Sequence, residues 1–193
     1  MRSAVIEFLE NDLPLPSIGL AFIYCNHKEN LTQSIEYFLG AIVRQLVERS
    51  PAIPYEVRSL YEKHRGKETK PTCQEYVGLL QFLARECSEV YVAIDALDEC
   101  IDKNGRIIWN GLLSKLRSSV SNLRLLYTSR DIEDIAGTLT GSTRIEIRAI
   151  ETDIQAYVQA QVKSAESLLQ ICEQDAELEN KISQAISSKA EGM

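Results

Sequence analysis

The chain has 193 residues, 45% of them hydrophobic, with 28 acidic and 21 basic residues that give a net charge of −7. This negative charge repels phosphate backbones, so nucleic acid is not expected as a partner. Five cysteines without a CxxC pair fit neither a disulfide framework nor a zinc site, and no apolar stretch approaches the roughly 20 residues that cross a bilayer. We therefore expect a cytoplasmic protein with reduced thiols and no membrane partner.

Helices and a strand are predicted in the first half of the chain. The first ten residues show helical spacing of apolar side chains, and IGLAFIYC (18–25) is rich in strand-favouring residues and predicts a strand buried on both faces. From Leu31 an apolar stripe at i, i+3/4, i+7 spacing predicts a helix that ends before Ser50. Shorter helices are predicted near residues 54–64 and 72–87.

Strands and helices continue to alternate in the second half. VYVAID (90–95) and LRLLYTSR (123–130) predict strands, and GRIIWNGLLSKLR (105–117) between them predicts a helix. DIEDIAGTL (131–139) predicts a short helix and TRIEIRA (143–149) a last strand. Strands separated by helices predict an α/β fold, with a parallel sheet covered by helices on both faces.

The sequence beyond Ile150 has no strand signal. Thr152 or Asp153 is a suitable N-cap for a long helix there. We therefore predict an α/β domain over residues 1–150 and a helical segment over residues 151–193.

Three acidic residues lie at and just after the end of the strand 90–95. Asp95 ends the strand, and Asp98 and Glu99 follow three and four residues later. Ligands of doubly wound sheets bind outside the carboxyl ends of the strands, and Mg²⁺ needs only one or two protein carboxylates beside a phosphate. Asp95 is therefore a candidate metal ligand, while Asp98 or Glu99 would orient or deprotonate an attacking water. The alternative is that Asp98 and Glu99 only cap a helix and Asp95 is a solvated strand end.

A second polar group follows the next strand along the chain. Thr128, Ser129 and Arg130 stand at its carboxyl end, where a hydroxyl and a guanidinium could contact a terminal phosphate. The alternative is that Arg130 is an ordinary surface residue.

Cys100, directly after the acidic pair, is predicted to be a buried structural thiol and not a nucleophile. Neither His27 nor His64 lies near it in the sequence pattern, so no base is predicted to activate the thiol.

These motifs carry a resemblance to a known family. VYVAIDALDEC (90–100) resembles the extended Walker B motif of NACHT domains, a clade of STAND-class, signal-transducing P-loop NTPases. LRLLYTSR resembles the sensor strand of that family, and ETDIQAYVQAQV (151–162) resembles the helix that follows the last sheet strand in fungal members. The resemblance extends over essentially the whole chain and implies a parallel-sheet P-loop NTPase fold followed by a helical segment.

The resemblance also implies roles for the polar residues. Asp95 would hold Mg²⁺, Asp98 and Glu99 would act on the attacking water, and Arg130 would contact the terminal phosphate. The implied cofactor is Mg²⁺ with ATP or GTP.

A P-loop NTPase needs GxxxxGK[ST] between its first strand and first helix, and the sequence contains no such motif. The resemblance therefore implies a fragment that begins after this loop, in which a missing strand would lie between strands 123–130 and 143–149. We expect that the fragment alone binds nucleotide weakly, because the loop is absent, and that it has low stability, because an interior strand is absent.

The implied parent is a fungal NLR-like protein in the cytoplasm, in which ATP or GTP hydrolysis resets a signalling switch. Its expected partners are nucleotide, effector and repeat domains of the same chain, and further copies of itself. The alternative is a catalytically inactive interaction or scaffold module of an NLR-like protein.

Overall fold

The structure is a computed structural model. It describes residues 4–12, 17–29, 31, 33–132, 135, 139, 141–147, 150–165, 170–172 and 177–190. The chain divides into two compact units, Met1–Thr140 and Gly141–Met193. No helix in these described ranges combines the length and the apolar character needed to cross a membrane.

The described part of the first unit is an α/β unit with a three-stranded sheet. The strands are β1 (Ile18–Tyr24), β2 (Glu89–Asp95) and β3 (Leu123–Tyr127). The helices are α1 (Ala4–Asp12), α2 (Ile35–Glu48), α3 (Tyr55–Arg65), α4 (Cys73–Arg85) and α5 (Trp109–Ser119). Two short 3₁₀ helices span His27–Glu29 and Leu97–Glu99.

The sheet has the order β1-β2-β3, and both pairs of neighbours are parallel. Gly19 is paired with Val90, and Val90 is paired in turn with Leu123. The predicted α/β class with a parallel sheet is therefore confirmed. Parallel register also brings the carboxyl ends of the three strands to one end of the sheet.

The core of the unit lies between the sheet and helices α2, α4 and α5. Alternate residues of β1 and β2, such as Ala21, Ile23 and Val92, point into this core because successive strand residues face opposite sides. The apolar stripe of α2 contributes five buried residues to the core, as many as α4 does: Phe38, Leu39, Ile42, Val43 and Leu46.

Helix α2 begins four residues later than the apolar pattern predicts. The backbone N–H of Tyr37 donates to the Ser34 hydroxyl at 3.1 Å, so Ser34 caps the helix and Ile35 is its first residue. Leu31, where the helix was predicted to start, is 79% exposed. The capping side chain, and not the apolar spacing, sets the start of this helix.

The outer edge of β1 is closed by a side chain of α2. The Phe22 N–H donates to Gln45 Oε1 at 3.0 Å, and Gln45 Nε2 donates to the Phe22 carbonyl at 2.8 Å. The amide of Gln45 thus pairs with both backbone groups that Phe22 would offer to a further strand. This interaction also anchors α2 along the strand.

The second unit is helical where it is described. It contains α6 (Glu151–Ser164) and α7 (Leu178–Ala190), and its small core includes Val158, Val162 and Cys172. The Ile150 N–H donates to Asp153 Oδ2 at 3.3 Å, so Asp153 stabilises the helix start from within the first turn. The prediction of Thr152 or Asp153 as the N-cap is therefore wrong by two or three residues.

The prediction of a strand over residues 143–149 is wrong for residues 143–147. Residues 143–147 form neither helix nor strand, and residues 148 and 149 lie outside the described ranges. Ile145 and Ile147 are 79% and 85% exposed. The alternation of polar and apolar residues is typical of a strand, but a strand also needs a neighbouring strand to pair with. The short helix predicted over residues 131–139 lies mostly outside the described ranges.

Candidate functional site

The carboxyl ends of β2 and β3 are joined by backbone hydrogen bonds. The Thr128 N–H donates to the Ile94 carbonyl at 3.0 Å, and the Leu97 N–H donates to the Thr128 carbonyl at 2.8 Å. The Cys25 N–H, just past the end of β1, donates to the Asp95 carbonyl at 3.0 Å. Residues that follow all three strands are thus held together at one end of the sheet.

Asp95, the last residue of β2, is held by the residue that follows β3. The Thr128 hydroxyl donates to Asp95 Oδ1 at 2.5 Å and accepts the Ala96 N–H at 3.0 Å. In the described part of the chain, Asp95 Oδ2 has no hydrogen-bond partner. One carboxylate oxygen is therefore fixed and the other is available.

The turn after Asp95 depends on a strained residue. Ala96 has φ 54° and ψ 53°, in the left-handed region, which costs an L-residue other than glycine about 1–2 kcal/mol. Thr128 offsets this cost through the hydrogen bond that its hydroxyl accepts from the Ala96 N–H. The reversal leads directly into the 3₁₀ helix Leu97–Glu99, which carries the two other acids.

Asp98 and Arg130 form an ion pair between this 3₁₀ helix and the segment after β3. Arg130 Nε donates to Asp98 Oδ2 at 2.6 Å, and the Arg130 backbone N–H donates to Asp98 Oδ1 at 3.2 Å. The Asp98 side chain is 3% exposed, whereas the Arg130 side chain is 75% exposed. Although burial raises the pKa of Asp98, the hydrogen bonds from Arg130 outweigh it and hold that pKa below its usual value.

Glu99 pairs with His27, which follows β1. The His27 backbone N–H donates to Glu99 Oε2 at 3.1 Å, and His27 Nδ1 lies 3.0 Å from the same oxygen. These hydrogen bonds hold the pKa of Glu99 below its usual value. The sequence analysis missed His27 as a site residue. The available signal was that the segment after β1 reaches the same end of the sheet as β2.

All four predicted site residues, Asp95, Asp98, Glu99 and Arg130, lie at the carboxyl end of the sheet. We refer to these four with Thr128 and His27 as the strand-end site. The three carboxylates point to different partners: Thr128, Arg130 and His27. In the described ranges no three His, Cys, Asp or Glu side chains are grouped to hold a metal ion alone. A divalent cation here would need oxygen ligands from a bound phosphate and from water.

The prediction that Cys100 is a buried thiol is confirmed, because it has no exposed surface. His27 contacts Glu99, the residue before Cys100. Cys25 is buried too, and its side-chain hydrogen bond with Cys100 together with burial raises the pKa of Cys25. A buried thiol with a raised pKa is a poor nucleophile.

A second charged cluster joins α3 to the start of α4. We call it the helix-pair cluster, and it consists of Lys63, His64, Thr72 and Glu75. Glu75 Oε1 accepts from Lys63 Nζ at 2.5 Å, and Glu75 Oε2 lies 3.1 Å from His64 Nε2. Thr72 and Glu75 form a reciprocal capping box at the first turn of α4.

Comparison with known proteins identifies the family of the chain. None of the curated proteins and none of the solved structures that were compared matches it. The family described as "Nephrocystin 3, N-terminal" matches residues 1–130, which include the whole strand-end site. The chain therefore belongs to the Nephrocystin 3, N-terminal family.

Proposed function

We propose that the chain is part of a NACHT-type signalling NTPase, in which the strand-end site binds a magnesium nucleotide and switches the protein between two states. One observation supports this most strongly. Asp95 ends β2 and Arg130 follows β3, and hydrogen bonds hold both segments at the carboxyl end of one parallel sheet. This is the end at which doubly wound sheets bind their ligands.

The charge balance of the site favours a cation-bound phosphate over a free one. Three carboxylates stand against one guanidinium, so a bare phosphate would be repelled. Mg²⁺ accepts one or two protein carboxylates together with phosphate oxygens and water, and Asp95 has an oxygen to offer. Bound Mg²⁺ would neutralise phosphate charge, and the exposed Arg130 would contact the terminal phosphate.

Of the two acids after Asp95, Glu99 has the better access to water. Its side chain is 27% exposed, compared with 3% for Asp98. His27 hydrogen bonds keep the pKa of Glu99 low, so this carboxylate would orient an attacking water more readily than it would remove a proton. We propose ATP or GTP as the nucleotide, a cytoplasmic location, and self-association or effector and repeat domains of the same protein as partners.

A scaffold module without turnover is the second candidate. The observation that favours it is that each carboxylate of the strand-end site already has a hydrogen-bond partner in the protein. In a scaffold these contacts would only join the loops that follow the three strands.

Nucleotide binding distinguishes the two candidates. The protein for this test is the product of the longest reading frame that contains these 193 residues, which we call the extended protein, because the sequence itself has no phosphate-binding loop. We expect Asp95→Asn to weaken Mg²⁺-dependent binding of labelled ATP or GTP about tenfold or more. The matched control is Asp102→Asn, which alters a carboxylate that accepts two backbone N–H groups within a surface turn. Equal binding by the wild type and Asp95→Asn would favour the scaffold.

A further inference from the structure

The contact between Asp98 and Arg130 is more specific than a surface ion pair. Both carboxylate oxygens of Asp98 accept from Arg130, one from the backbone N–H and one from Nε. Because the Asp98 side chain is 3% exposed, it has little room for another partner. The backbone bond fixes where the Arg130 main chain leaves β3, and the Nε bond fixes the plane of the guanidinium.

The guanidinium has five N–H donors in a planar fork, and only the one on Nε faces Asp98. The Arg130 side chain is 75% exposed, and within the described residues neither of its Nη groups is hydrogen-bonded to Asp98, so both are left for a ligand. A phosphate is bound best by two parallel donors of this kind.

We propose that Asp98 is a positioning residue, which holds Arg130 so that its Nη groups meet the terminal phosphate of the nucleotide. This inference rests on the proposed function and assigns Asp98 a role other than the activation of water. An arginine side chain normally loses rotamer freedom when it binds a ligand. Asp98 imposes that restriction before the nucleotide arrives, so binding of the terminal phosphate is favoured.

Two properties of Asp98 argue against its acting on water. Its oxygens are both engaged and buried, so an attacking water cannot reach them without breaking the contact with Arg130. Its pKa is also held low by Arg130 despite burial, which makes it a weak proton acceptor. Glu99, one residue later, is more exposed, and both of its contacts with His27 are made by Oε2, although its pKa is lowered as well.

The test measures affinity for ATP and ADP, because only ATP carries the terminal phosphate. The variants are Asp98→Asn, Arg130→Ala and the double variant in the extended protein, with Asp102→Asn as the control. Asparagine offers one acceptor oxygen where Arg130 presents two donors, so the contact is broken in part. We expect Asp98→Asn to lower the preference for ATP over ADP about tenfold, with ADP affinity nearly unchanged. The double variant should match Arg130→Ala alone, because both changes remove one interaction.

Other results would overturn the proposal. If Asp98→Asn slows hydrolysis but keeps the ATP preference, Asp98 acts on water. If it weakens ATP and ADP equally and lowers the thermal stability, its role is structural. An ATP preference that needs Arg130 but survives Asp98→Asn refutes this inference and leaves the proposed function intact. A wild-type protein that binds neither nucleotide refutes both.

A second variant keeps the test decisive if Asp98→Asn does not fold. Arg130→Lys retains the charge but replaces the planar guanidinium with an ammonium group. Asp98 then has no planar group to orient toward the phosphate. We expect Arg130→Lys to lose the ATP preference about as fully as Arg130→Ala. Full ATP preference in Arg130→Lys would show that charge alone suffices, and would overturn the positioning role.

Discussion

The strand-end site and the helix-pair cluster contain the same chemical groups but arrange them differently. Each contains a histidine, a threonine, a basic side chain and at least one carboxylate whose pKa is lowered by hydrogen bonds. In the helix-pair cluster one carboxylate, Glu75, receives all the donors, and they fasten α3 to the first turn of α4. In the strand-end site three carboxylates receive donors from segments that follow three different strands.

The difference shows that a lowered carboxylate pKa does not by itself mark a functional site. Glu75 has the strongest pKa shift of the two clusters, yet its donors use both of its oxygens, so the cluster offers no free carboxylate oxygen to a ligand, although its Lys63 side chain is exposed. The strand-end site instead keeps an exposed guanidinium on Arg130 and an available oxygen on Asp95. A better indicator of a functional site is its position at the carboxyl ends of parallel strands, together with side-chain donors and acceptors that have no partner in the protein.

The largest expected effect that separates the two clusters is on hydrolysis. Glu99→Gln in the extended protein should slow nucleotide hydrolysis about a hundredfold, because general acid–base groups contribute about 10²–10⁴ in rate and we expect a group that mainly orients the water to lie at the lower end. Nucleotide affinity should change little, since Glu99 is not placed on the metal or on the phosphate. Single-turnover release of phosphate measures this, with Glu75→Gln as the matched control from the other cluster. Equal rates for Glu99→Gln and the wild type would remove Glu99 from the site.

A smaller effect, on stability alone, is expected from the helix-pair cluster. Thr72→Ala removes the N-cap of α4 and should lower the free energy of unfolding by about 1 kcal/mol. For a chain of this size that corresponds to a fall in Tm of about 2–4 °C. Thermal unfolding of the 193-residue chain measures the change, and nucleotide affinity of the extended protein should stay constant. A loss of nucleotide affinity in Thr72→Ala would mean that the helix-pair cluster is not merely structural.

The smallest effect concerns the turn that forms the strand-end site. Ala96→Gly removes left-handed strain but adds flexibility to the unfolded chain, so the protein should become more stable by at most about 1 kcal/mol. Ala93→Gly is the control, because Ala93 is a buried residue of β2, and that change should destabilise by about 1 kcal/mol. Urea unfolding of both variants measures the difference. If Ala96→Gly destabilises as much as Ala93→Gly, the backbone at this turn is not strained.

The amino-acid pattern was sufficient for the strands of the first unit and for the place of Asp95. An apolar run that ends in a polar residue is a local signal. VYVAID predicts a strand and its last residue, Asp95, where β2 ends. The same local reasoning failed for residues 143–147, where alternation was present but no described strand lies beside them. It also missed that Ser34 would start α2, because one cap can override several apolar positions.

The partners of the acids could not be predicted from spacing. Glu99 and His27 are 72 residues apart, and Asp98 and Arg130 are 32 residues apart. Their contacts depend on the register of β1 against β2 and of β2 against β3. Strand order was implied only by the resemblance, and a shift of two residues in either register would have brought different side chains together.

One measurement tests the central claim most directly: Mg²⁺-dependent affinity for labelled ATP, compared between Asp95→Asn and Glu75→Gln in the extended protein. Both variants remove one carboxylate charge, from the strand-end site and from the helix-pair cluster respectively. We predict that Asp95→Asn loses most of the Mg²⁺-dependent affinity while Glu75→Gln retains it. Equal affinity in the two variants, or binding by the wild type that does not depend on Mg²⁺, would contradict the assignment of the nucleotide site to the carboxyl end of the sheet.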